Sequence, residues 1–268
     1  MLLVIDVGNT NIVLGVFKKG TLIHNWRVRT EHNTTEDEFN ILISSLLADG
    51  HVARREIDRT IISSVVPPMI TILDSFCVRY LGHRPQWVDA RSAGIMPILY
   101  SNPNEVGADR IVNGVAAYEK YKTSLIVIDF GTATTFDAIS SQGEYLGGAI
   151  SPGIHIAAEA LFRNASKLPR VEIFEPPEAV IGKDTAGSIQ SGMIFGYAGL
   201  VDGMVTRMAR EMASTPRVVA TGGLAPLMQN VTQTIEAVEP QLTLEGLRLI
   251  HEKSMAGQKT ICANDRNK

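Results

Sequence analysis

Short apolar runs that end in Asp, Gly and small polar residues alternate along this chain with longer stretches whose apolar positions recur at helical spacing. Leu2 to Asp6 predicts a buried strand and Ile12 to Phe17 a second, with Gly8 to Asn11 supplying the turn of a hairpin. TTEDEFNILISSLLADG predicts a helix: Thr35 and Glu38 form a capping pair, Phe39, Leu42, Ile43, Leu46 and Leu47 share a face, and Gly50 stops it. TIISSVVPP predicts a short strand ended by Pro67 and Pro68, then a helix through Leu81, and QWVDA an edge strand. GADRIVNGVAAYEKY predicts a helix with Asp109 in its first turn. Further on come a loop with Pro152 and Pro169, the pair Pro176 and Pro177, a long helix from about Ala186 to Ala213, and the strand RVVA leading into TGGLAP with a helix at Ala225. The polar stretch from Ser254 to Lys268 reads as a frayed or flexible tail.

The opening pattern, MLLVIDVGNTNIVLGVF, returns as SLIVIDFGTATTFDAIS, which predicts two like-built α/β domains, 1–118 and 119–268, with a boundary near Tyr118. Only the hairpin repeats visibly. A length of 268 residues suits two such domains. With 25 basic and 28 acidic residues and a net charge of −3, nothing in the balance asks for nucleic acid or an anionic membrane as partner. The longest uncharged run, Thr185 to Val201, is too short and polar for a membrane span. Cys77 and Cys262 are too few for a disulfide framework or thiolate metal site, no basic segment precedes LLVI, and Asp6 interrupts the apolar start, so the expected compartment is the cytoplasm.

No two glycines stand at positions i and i+2, which excludes the GxGxxG dinucleotide fingerprint, and GKDT at 182–185 has Pro177 where a P-loop needs its first glycine. An Asp-x-Gly-x-Thr turn can hold phosphates another way. The tight turn points N–H groups and hydroxyls at the anion while the aspartate holds a cation. Asp6, Gly8, Asn9, Thr10 and Asn11 qualify in the first copy, and Asp129, Gly131, Thr132, Thr134 and Thr135 in the second. The strand running into Thr221, Gly222 and Gly223 adds a glycine pair that could let backbone approach a nucleoside.

Two such hairpins followed by a glycine pair resemble the actin, sugar-kinase and heat-shock ATPase superfamily, which implies two ribonuclease-H-like domains with a nucleotide cleft between them. Within it, DVGNTN, EVGADRIVN, DFGTATT and GGAISPG, the last taken as a loop, resemble type III pantothenate kinase. The resemblance runs from Met1 to about Gly223 and implies transfer of the ATP γ-phosphoryl group to pantothenate, the first step of coenzyme A synthesis. It implies that Asp6, Val7, Gly8, Asn9, Thr10, Asn11, Ile12 and Val13 cover the nucleotide phosphates with help from Thr132. ATP would come with Mg2+ or another divalent cation, for which Asp6 is a candidate ligand, and Asp129 would hold a monovalent cation, K+ or NH4+. Tyr100, Gly107, Ala108, Asp109, Arg110 and Thr185 would contact pantothenate, Asp109 as the base, in a homodimer whose partner chain helps close the pocket.

The residue types suit those roles. Phosphoryl transfer through a loose transition state needs positioning and a carboxylate for the hydroxyl proton, and an arginine fork matches a substrate carboxylate. Taken alone, Tyr100 between Pro97 and Pro103 reads as packing, and Thr185 as the N-cap of the following helix. Other readings are a non-catalytic nucleotide-binding regulator and a kinase for a sugar, acetate or another small hydroxy acid on the same fold. Finally, Gly192, Gly196, Gly199 and Gly203 fall on one face of the long helix, either because that face packs on its own sheet or because it admits a helix of a second subunit.

Overall fold

The computed structural model describes residues 1–89, 95–172 and 175–264, with side chains described through Ala256. Ala90, the last residue of the predicted edge strand, and the final four residues of the predicted tail lie outside them. The chain forms two compact units: one takes residues 1–97, 101–116 and the C-terminal segment from Thr243, the other residues 98–100 and 117–242.

The first unit is built on a five-stranded sheet in the order β3-β2-β1-β4-β5. Strands β1 (Leu2–Val7) and β2 (Asn11–Lys18) form the predicted hairpin, β3 (Thr21–Arg29) extends it, and β4 (Arg59–Ser64) and the two-residue edge strand β5 (Gln86–Trp87) add in parallel. Helix α1 (Glu36–Asp49) starts as its sequence dictates, with Thr35 and Glu38 exchanging side-chain-to-backbone bonds in a capping box. It buries Phe39, Ile43 and Leu47, whereas Leu42 stays exposed. Pro67 and Pro68 do more than end β4: their fixed φ and missing N–H groups suit a helix start, and they open α2 (Pro67–Phe76), which continues in a single wide turn to Leu81. Both helices cover one sheet face and share a core with Leu3, Ile5 and Ile62.

The second unit repeats this plan. Its sheet runs β10-β9-β6-β7-β8, so β6 (Leu125–Phe130), β7 (Ala133–Ile139), β8 (Tyr145–Pro152), β9 (Arg217–Gly222) and β10 (Ala237–Val238) correspond in order and direction to β1 through β5. The repeat therefore spans the whole sheet, beyond the hairpin visible in sequence. Helix α4 (Ile154–Asn164) and the long α5 (Thr185–Glu211) cover the face carrying Ile126, Ile128 and Phe136, and α6 (Ala225–Gln229) joins β9 to β10.

Three expectations are corrected. GGAISPG is not a loop: Gly147 to Pro152 are the body and end of β8, pairing along β7 from Ala138↔Gly147 to Ala133↔Pro152, and Gly153 leads into α4. Asp184 rather than Thr185 caps α5, its carboxylate accepting the Gly187 N–H at 2.8 Å. The C-terminal stretch is helical as far as Asn264 in α7 (Leu242–Asn264). The division between units falls inside helix α3 (Ala108–Tyr121), after Ala116, and α7 belongs with the first unit. Buried Leu244, Leu247 and Ile250 hold it there, and Thr243 donates to Asn113 Oδ1 at 2.7 Å.

Candidate active site

In the first unit the hairpin turn is tied down from two sides. The Gly8 N–H donates to the Asn11 carbonyl at 3.0 Å, and Thr30, just past β3 and buried, donates its hydroxyl to the Gly8 carbonyl at 2.7 Å and its N–H to the Thr10 carbonyl at 3.0 Å. Asn9 and Thr10 are left exposed at the tip, while Val7 and Ile12 are core side chains, so only their backbone atoms are on offer to a ligand. Asp6, next to last in β1, stands opposite Ser63 of β4, whose hydroxyl donates to Asp6 Oδ1 at 2.5 Å. Burial pushes the Asp6 carboxyl from 3.8 up to about 7; the Ser63 hydrogen bond works against this rise and the Asp109 charge adds to it.

The Asp109 carboxyl thus lies within electrostatic reach of Asp6. It sits in the first turn of α3, where its Oδ1 accepts the Arg110 N–H at 2.9 Å and curls back over Gly107. A Cβ at Gly107 would stand 2.5 Å from that oxygen and would turn the Asp109 carboxylate away from its present place. Burial raises the Asp109 carboxyl above the usual carboxylate range, with the Arg110 N–H and guanidinium pulling the other way. Arg110 and Ala108 are both buried. The first unit therefore carries Asp6, the turn from Gly8 to Asn11, and Gly107, Asp109 and Arg110, with the Asp109 charge reaching Asp6. Such a pair of crowded carboxyl groups, both raised by burial, is suited to attract positive charge.

In the second unit Asp129 ends β6, half-buried, and its carboxylate lies against the backbone of Gly222 on β9. Gly222 has φ +91°, and a Cβ there would stand 2.6 Å from Asp129 Oδ1 and from the Phe130 carbonyl oxygen. Its glycine is thus required by the neighbouring strand, without appeal to a nucleoside. Thr132 is at the hairpin tip, where its carbonyl accepts the Gly153 N–H at 3.1 Å. Thr134 departs from the turn set: it is on β7, facing the core with its hydroxyl buried. Thr135 pairs across the ladder with Asp129. Tyr100 is 37% exposed and Thr185 is exposed at the first position of α5.

Ser63 and Thr30 escaped the sequence reading. Ser63 becomes relevant only through the parallel register of β1 and β4, and Thr30 only through the turn it props.

Comparison with known proteins agrees with this geometry. The profile of the family described as type III pantothenate kinase matches residues 2–207. A type III pantothenate kinase of Desulfatibacillum aliphaticivorans is 66% identical over 253 residues, covering 94% of this chain and 98% of that protein. Among solved structures, a conserved candidate transcriptional activator of the Baf family from Campylobacter jejuni superposes with a TM-score of 0.60 at 16% identity, covering 95% of this chain and 99% of that one. A candidate 2-dehydro-3-deoxygalactonokinase from Sinorhizobium meliloti does so with a TM-score of 0.57 at 11% identity, over 94% and 96% of the two chains. At such identities these two speak for the fold alone.

Proposed function

The chain belongs to the type III pantothenate kinase family and phosphorylates pantothenate with ATP, and we propose that Asp109 is the base of that reaction. The observation that carries the reading is the placement of Asp109 beside buried Arg110 and within electrostatic range of Asp6. Asp109 accepts the proton of the pantothenate primary hydroxyl as its oxygen attacks the γ-phosphorus, the bond to the β-phosphate oxygen breaks, and ADP leaves. A carboxyl group shifted upward holds that proton better than an ordinary carboxylate, and in a loose transition state its chief task is to orient the hydroxyl in line. Arg110 supplies a fork for the pantothenate carboxylate, and Gly107, Ala108, Tyr100 and Thr185 complete the acceptor site.

The nucleotide phosphates rest on the first turn, Asp6 to Val13, with Thr132 contributing from the second. Asp6 fits a divalent cation, since a carboxyl group raised by burial and by a neighbouring carboxylate regains its ionised form when positive charge arrives. Among the described residues no group of three or more His, Cys, Asp or Glu side chains gathers to hold a metal, and Asp6 is the residue that would hold the divalent ion. Bound there, magnesium neutralises charge on the phosphates. Asp129 holds potassium or ammonium, and the enzyme works in the cytoplasm as a homodimer. No helix among the described residues is long and apolar enough to cross a membrane.

The test is a coupled ADP-release assay on a panel of acceptors, with Asp109→Asn beside the wild type. Pantothenate should be the preferred acceptor, and the variant should lose about a hundred- to ten-thousand-fold in kcat with little change in pantothenate KM. Near-normal turnover by the variant would overturn Asp109 as base. Turnover in buffers holding sodium as the sole monovalent cation tests Asp129: full activity there contradicts the potassium role.

A further inference from the structure

Residues Ile98 to Tyr100 belong to the second unit, although the residues on both sides of them belong to the first. Within the second unit all three of them meet Tyr145. Ile98 forms a parallel bridge with Tyr145, the Leu99 N–H donates to the Tyr145 carbonyl at 2.8 Å, and the Tyr100 ring meets the Tyr145 ring edge-on, centroids 6.3 Å apart at 62°. Gly147, two residues along β8, has φ +126°, a backbone conformation that favours glycine, and a Cβ there would stand in ordinary contact with the Tyr100 ring at 3.7 Å, so this stretch of β8 lies beside that ring. Tyr145 is itself fully buried at the edge of the sheet, and its hydroxyl donates to Oδ1 of the equally buried Asp137 at 2.8 Å. The other Asp137 oxygen accepts from Thr135 at 3.3 Å.

An apolar pair would fill the Tyr145 and Asp137 positions without the cost of desolvating a hydroxyl and a carboxyl group. What the hydrogen bond adds is a single orientation of the Tyr145 ring and strand edge, and through them of Tyr100, whose own exposure would leave it free to turn. Resting on the assignment of Tyr100 to the acceptor site, we propose that Tyr145, locked by Asp137, is a positioning residue that sets the Tyr100 ring for pantothenate. It touches neither substrate.

Tyr145→Phe deletes the hydroxyl alone. It should raise pantothenate KM by about tenfold while leaving the KM for ATP unchanged, the cost of loosening a binding group rather than removing it. The same substitution made in a Tyr100→Ala background should add nothing, because the residue it acts through is gone. Equal effects in both backgrounds, or a rise in the ATP KM as large as that for pantothenate, would overturn the positioning role. If Tyr100→Ala raises pantothenate KM and Tyr145→Phe does not, the proposal fails and the acceptor site stands; if Tyr100→Ala is silent, both fail. Leu99→Pro, which removes the N–H bonded to the Tyr145 carbonyl at an exposed side chain, is the second probe should Tyr145→Phe not fold. It too should raise the pantothenate KM selectively, and an unchanged KM would count against the clamp.

Discussion

With the Asp6 carboxyl raised from 3.8 to about 7, the nucleotide-free folded protein keeps a proton there that the unfolded chain has already released. The sign of the pH effect follows. Below about pH 3.8 both states are protonated and the site costs nothing; as pH climbs towards 7 the folded state loses stability relative to the unfolded one, and above 7 the loss is complete. Asp6→Asn keeps the shape and an oxygen for the Ser63 hydroxyl but has no charge to bury. Without nucleotide, the variant should melt several degrees above the wild type at pH 8, with the gap narrowing as pH falls and closing near pH 4. Saturating magnesium ATP should reverse the order, since only the wild type gains from binding. A wild type at least as stable as Asp6→Asn at pH 8 without nucleotide would show that Asp6 is not held under desolvation.

Helix α7 makes the same kind of argument one level up. A Cβ at Gly246 would stand 2.2 Å from the Val112 carbonyl oxygen, so α7 lies on α3 with backbone nearly touching backbone. Gly246→Ala gains about 1 kcal/mol of helix propensity but must push the two helices apart, at an overpacking cost of about 1–3 kcal/mol or more because the obstacle is main chain. The denaturant midpoint should therefore fall, and a rise would mean that α7 docks elsewhere. This packing was illegible in the sequence, where the glycine sits among ordinary helix formers and nothing marks its partner on α3. Elements with a local cause were legible: the capping box of α1 and both hairpins, whose apolar runs meet turn residues. β8 hid because Gly147, Gly148 and Pro152 disguise a strand defined by its pairing with β7, and β3 because its half-buried alternation suits an edge strand. The site divides in the same way. Asp6 and Asp109 stood out in local motifs, whereas Ser63, Asp137 and Tyr145 matter through register and burial that arise only once the sheets form.

At the scale of the molecule, the glycine stripe of α5 bears on the two readings its spacing allowed and removes one of them. The buried face of α5 carries Ile189, Ile194, Tyr197, Ala198, Val201 and Val205, while Gly192, Gly196 and Gly199 are exposed on another, where an added Cβ would meet nothing within 4 Å; at Gly203 it would meet only the Arg207 side chain. Packing of the stripe on its own sheet is thus excluded. A 27-residue helix that keeps glycines on an open face forgoes about 1 kcal/mol at each, and Ile150, Ile156, Val180 and Ile181 of the same unit also stand exposed. Both features suit a second copy of the chain laid closely against the stripe, where small residues let backbones approach. Gly196→Leu separates an intermolecular role from none. Because open space surrounds the site within the chain, the variant should fold with undiminished helix content. If the proposed dimer forms through the stripe, the wild type should run as a dimer by light scattering, and the variant should run as a monomer at the same concentration and bind pantothenate more weakly. A fully active, unaltered dimer would place the interface elsewhere and leave the glycines of α5 without a structural cause.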